Sequence, residues 1–117
     1  MKPSAAILIA CDRYPIFREA LRNFLLTAGY TRVDVADGVR EALTLLRNGS
    51  YRFVLIGLGA PLAKERLARV TRHRQPEAKV LILVSADRLP EAPDASFTYV
   101  IRERASSILL QLLAENE

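Results

Sequence analysis

Tyr51-Arg52-Phe53-Val54-Leu55-Ile56-Gly57-Leu58-Gly59-Ala60-Pro61 is the stretch that decides how this chain folds. Phe53 to Ile56 is a short unbroken apolar run, which suits a strand covered on both faces. Gly57 to Pro61 is a small-residue loop closed by proline, so the chain leaves the strand there and a helix follows Pro61. Gly57 therefore stands at the carboxyl end of a buried strand. Open α/β sheets place their reactive groups at that end. A glycine there supplies no side chain, so it offers neither a nucleophile nor a metal ligand.

Working outward, the same rhythm repeats. Ala6 to Cys11 and Lys79 to Val84 are two more apolar runs and read as central strands. Arg32 to Ala36 alternates polar with apolar residues and reads as a strand nearer the sheet edge. Phe97 to Ile101 reads as the fifth strand. Between these runs lie helical periodicities. One starts at Pro15, carries Ile16, Phe17, Ala20, Leu21, Phe24 and Leu25 at helical spacing, and stops at Gly29. A second is capped by Asp37, has Val39, Ala42, Leu43, Leu45 and Leu46 as its apolar face, and ends at Asn48-Gly49-Ser50. A third carries Leu62, Ala63, Leu67 and Val70 inward, with Pro76 beyond its end. A last one spans Ala105 to Ala114. Alternating strands and helices predict a parallel sheet between two helical layers. The expected fold class is α/β, a flavodoxin-like three-layer sandwich with five strands in the order 2-1-3-4-5. Pro90 and Pro93 interrupt the segment between the fourth and fifth strands, which predicts a fourth helix shortened or missing.

The chain has 117 residues, half of them hydrophobic, which fits one domain over 1–117. Its formal net charge is +4, too small a surplus to argue for nucleic-acid binding. One cysteine and one histidine exclude an intrachain disulfide and a zinc site of the usual kind. That cysteine usage suits a reducing, cytoplasmic setting. Leu8-Ile9-Ala10-Cys11 superficially looks like a lipoprotein cleavage box, but the apolar run before it is shorter than a signal-peptide core. No stretch is long enough to cross a bilayer.

The stretch from Phe53 to Pro61 resembles the third strand of a bacterial response-regulator receiver domain. That family writes apolar residues, then the phosphate-accepting Asp, a hydrophobe, two variable residues and Pro. Gly57 stands at the Asp position. The opening Ile7-Leu8-Ile9-Ala10-Cys11-Asp12-Arg13-Tyr14-Pro15-Ile16-Phe17-Arg18 is similar to a NarL/FixJ-type receiver, where two acidic residues and His precede Pro. Asp12 takes the first acidic place, Arg13 the second and Tyr14 the His place. Ser85 matches the Thr/Ser that contacts the phosphoryl group. Tyr99 matches the switch aromatic, and Arg102 the Lys near the end of the fifth strand.

The resemblance spans the chain in order and spacing, and departs from the family at Arg13, Gly57 and Arg102. In the family the acidic pair helps to hold Mg²⁺, which wants oxygen ligands. Here one Asp would face two Arg, a balance that repels a divalent cation and suits an ion pair of Asp12 with Arg102, Arg13 or both. The expectation is a degenerate phosphorylation pocket of Asp12, Arg13, Gly57, Ser85 and Arg102, with no bound Mg²⁺, no other cofactor and no enzymatic activity. The resemblance then implies a receiver that cannot be phosphorylated and acts in signal transduction and transcription regulation through protein contacts. Those contacts would be a homodimer through the first and last helices, or control of a helix-turn-helix output domain outside residues 1–117. Two alternatives stand beside it: a sensor that binds a small anionic ligand in the vacated pocket, or a phosphorelay receiver with a non-standard acceptor, for which Asp87 is the nearest carboxylate.

Arg66, Arg69, Arg72 and Arg74, with Lys64 and His73, make the third helix basic. Such a run usually forms a solvated surface; an acidic-partner or nucleic-acid patch is the sharper reading. No aromatics interleave with these charges, which speaks against single-strand binding. Gly57-Leu58-Gly59 lacks the third glycine and the chain position of a nucleotide-binding loop.

Overall fold

The computed structural model describes residues 6–11, 15–57, 61–85 and 97–101, together with 104, 107, 110, 111 and 114. Strand β1 (Ala6–Cys11), helix α1 (Pro15–Thr27), β2 (Arg32–Val35), α2 (Val39–Asn48), β3 (Phe53–Gly57), α3 (Pro61–Arg74), β4 (Lys79–Val84) and β5 (Thr98–Ile101) follow one another along the chain. Ser107, Leu110, Gln111 and Ala114 are helical, where the periodicity places the last helix. The five strands form one parallel sheet in the order β2-β1-β3-β4-β5. The segment predicted to lack a full fourth helix lies outside the described residues. Among the described residues, no helix is long and apolar enough to cross a membrane.

The sheet divides the core in two, as the two-residue period of a strand requires. Leu8, Ala10, Val54, Ile56, Val80 and Ile82 face Ala42 and Leu46 of α2 and Leu67 and Ala68 of α3. Ile7, Ile9, Phe53, Leu55, Leu81 and Leu83 face Leu21 and Leu25 of α1. Helix α1 therefore covers one face, and α2 and α3 the other. Every residue of β3 is buried, so the strand that opened the reading is the middle of the sheet in both directions.

Helix α1 ends in a Schellman motif. The Tyr30 N–H donates to Leu25 O at 3.1 Å and the Gly29 N–H to Leu26 O at 3.0 Å. Gly29 holds φ 108°, which a residue with a Cβ adopts only with strain. Helix α2 begins differently from expectation. Its N-cap is Gly38 at φ 110°, with no side-chain cap, and not Asp37. The Asp37 carboxylate is drawn instead to Arg18 of α1, 3.4 Å away. Glu41, in the first turn of α2, reaches back to accept the Asp37 N–H. The apolar faces of α1 and α2 also need correcting: on α1 Ile16 and Ala20 are exposed, and on α2 Ala42 and Leu46 are buried, Leu43 and Leu45 are half-buried, and Val39 is 40% exposed.

Candidate functional site

The carboxyl edge of the sheet carries the positions singled out by the sequence. Gly57 closes β3 and is paired with Cys11, the last residue of β1. Ser85 follows Val84 at the end of β4 and is half-buried. Gly57 and Ser85 thus come to the same edge on adjacent strands. Tyr99 does not reach it. It pairs with Ile82 two residues before the end of β5 and packs, half-buried, on the α2–α3 side. Asp12, Arg13 and Arg102 lie outside the described residues, and so does the expected ion pair between them.

The residue that sequence reasoning misplaced is Lys64. Counted with the basic surface of α3, it is in fact 5% exposed. Its ammonium donates to the backbone oxygen of Leu83 at 3.0 Å. Leu83 follows Ile82, which pairs with Ile56, so that carbonyl is level with Gly57 one strand away. The hydrogen bond is what makes burial of an ammonium tolerable. The signal was present: Lys64, Leu67, Ala68 and Thr71 recur at i, i+3, i+4 and i+7, and all four are buried. Thr71 meets its own need locally, its hydroxyl donating to Leu67 O at 2.8 Å. Arg66, Arg69, Arg72, His73 and Arg74 are exposed, as a solvated face requires.

A second cation sits near the same edge. Arg18 is 9% exposed and its guanidinium meets Asp37, just beyond the carboxyl end of β2. Asp37 itself is largely in water, so this pair contributes at most about 1 kcal/mol.

The opposite edge is organised by Gln75 and Tyr51. The Gln75 amide accepts the Tyr51 N–H at 2.8 Å and donates to Leu46 O at 2.8 Å and Gly49 O at 2.7 Å. The Tyr51 hydroxyl donates to Asp34 Oδ2 at 2.6 Å. Burial raises the Tyr51 phenol above its ordinary range, and the bond to the Asp34 carboxylate raises it further.

Chemically, the described groups at the ends of β3 and β4 are backbone, one hydroxyl and a buried ammonium, with the Arg18–Asp37 pair just beyond β2. Gly57 cannot attack a phosphoryl donor. Among the described residues, no three His, Cys, Asp or Glu side chains gather where a metal could be held.

A five-stranded parallel sheet in this order, with α1 on one face and α2 and α3 on the other, is a flavodoxin-like fold of the CheY type. The chain superposes on the chemotaxis protein CheY4 of Vibrio cholerae, crystallised at pH 4.0, with a TM-score of 0.76. The match covers 97% of this chain and 100% of that one, at 18% sequence identity. A likeness at that identity establishes the fold alone. No family model matches the chain, and no curated protein matches it.

Proposed function

We propose that this chain is a NarL/FixJ-like receiver domain that signals without being phosphorylated. One observation carries the reading: the residue that ends the central strand, at the edge where this fold does its chemistry, is a buried glycine. The donor set does not fit a divalent cation. Positions that the family fills with acidic side chains hold Arg13 and Gly57, and the Lys64 ammonium already occupies the neighbouring strand end. The domain works by contact, in the cytoplasm and without enzymatic activity, as a homodimer or by controlling a helix-turn-helix output domain outside residues 1–117. Support for the dimer comes from the apolar side chains left in water. Ile16 on α1 is 86% exposed and Leu110 in the C-terminal helical stretch is 37% exposed.

The test is incubation with acetyl phosphate and Mg²⁺, followed by intact-mass measurement. The expected mass is unchanged for the parent chain. It is also unchanged for Gly57→Asp, because Arg13 still opposes the metal. A phosphoryl adduct on the parent chain would overturn the reading; an adduct on the variant alone would show that Arg13 had been given too much weight. Solution mass by light scattering tests the dimer. Ile16→Asp and Leu110→Arg are expected to yield monomer, and a dimer indifferent to both would remove these helices from the interface.

A further inference from the structure

On the face opposite α1, helices α2 and α3 leave a groove of about 180 Å³ between them. Val39 and Leu43 line it from α2, and Arg66, Leu67 and Val70 from α3. The groove exists because the apolar stripe of α2 is wider than the sheet can cover. Ala42 and Leu46 reach the sheet, while Val39 and Leu43 overhang toward α3.

The two helices are net positive. Helix α2 has a single acidic residue, Glu41, and α3 a single one, Glu65. Both are engaged close to home: Glu41 accepts the Asp37 N–H, and Glu65 lies 3.7 Å from Arg69. Arg66 stands in the groove wall, exposed and in no ion pair among the described residues. Arg40 and Arg47 on α2, and Arg72 and Arg74 on α3, are exposed and extend the same positive field.

We infer that this groove docks an acidic amphipathic helix of a partner protein. An apolar floor between two helices takes the apolar face of a third, read as anchors at i, i+3 or i+4, and i+7. Arg66 in the wall, and the exposed arginines elsewhere on the two helices, favour carboxylates flanking those anchors and speed encounter. Single-stranded nucleic acid fits less well, because no aromatic side chain lines the groove to stack on a base. The inference does not depend on the chemistry at Gly57 and uses the other face of the sheet from α1.

The test is an NMR titration of the full chain with a synthetic helical peptide. Leucines occupy one face of the peptide and glutamates flank them; a control peptide carries lysines in place of the glutamates. Saturable shifts are expected around Val39, Leu43, Leu67 and Val70 with the glutamate peptide only. Arg66→Glu should weaken binding by roughly tenfold or more, since it turns attraction into repulsion. Val39→Asp changes an exposed position, so it keeps the fold while placing a carboxylate in the apolar floor. It should also weaken binding, and both variants should retain the parent's backbone spectrum away from the groove. Ile16→Asp should leave the titration unaltered, which separates this inference from the dimer. Equal binding of the lysine peptide, shifts located elsewhere, or a duplex oligonucleotide binding the groove more tightly than the glutamate peptide would overturn it.

Discussion

The two edges of this sheet are built on opposite principles. At the amino edge, neutral polar groups meet complete partners: one glutamine amide serves three backbone groups, and a tyrosine hydroxyl beside β3 reaches a carboxylate of β2 across β1. At the carboxyl edge the described strand ends carry a glycine, a serine and the ammonium of Lys64. Neutral groups with matched partners contribute net stability, because the hydrogen bonds made inside slightly more than replace those given up to water. A buried ammonium gives up its hydration for its hydrogen bond, and an apolar side chain of similar volume in place of a buried charge is often neutral or stabilising. The amino edge therefore maintains the fold, and the carboxyl edge is where a change of chemistry costs the fold least.

Three substitutions can break or sharpen that contrast. The largest effect is expected at Gln75→Ala, which strips partners from the Tyr51 amide and from the Leu46 and Gly49 carbonyls. Three hydrogen bonds at about 1 kcal/mol each predict a loss of roughly 2–4 kcal/mol in urea unfolding. A loss near zero would dissolve the distinction between the edges. Tyr51→Phe comes next, at about 1 kcal/mol near neutral pH. It carries a pH signature as well. The folded state holds the Tyr51 phenol above its ordinary value, so its contribution is complete below the unfolded phenol's pKa of about 10 and falls as pH rises beyond it. The variant should lose less stability than the parent between neutral pH and about pH 10.5, read from urea midpoints. The smallest effect is expected at Lys64→Met, which keeps the stem and removes the charge. It should change stability by no more than about 1 kcal/mol in either direction. A large loss there would make the carboxyl edge as structural as the amino edge.

The apolar runs of β1, β3 and β4 were legible because a strand buried on both faces has only one composition available to it. The Gly29 stop was legible for a similar reason, since its φ favours glycine. What escaped the sequence was set at long range. Asp37 has the right chemistry for a cap, but Arg18, nineteen residues earlier, takes its carboxylate, and Gly38 starts the helix instead. Lys64 was placed outside because lysine is seldom buried, and the backbone carbonyl of Leu83 to which it donates is announced by no local pattern. Val39 was placed inside because its spacing fits the buried stripe, yet the sheet below is not wide enough to receive it. At the candidate site, the lack of any side chain at the end of β3 was plain from Gly57, whereas the depth of Tyr99 followed only from the register of β5 on β4.

Gln75 also has a consequence for engineering. Asn48-Gly49-Ser50 has the composition of a turn that tolerates extra residues, and a designer choosing a permutation point would pick it first. One planar amide holds the Gly49 oxygen and the Tyr51 nitrogen simultaneously, which spans the turn and leaves it no slack. A single inserted residue would pull one of them out of reach, so the most inviting loop on this face is a poor place to cut or lengthen the chain.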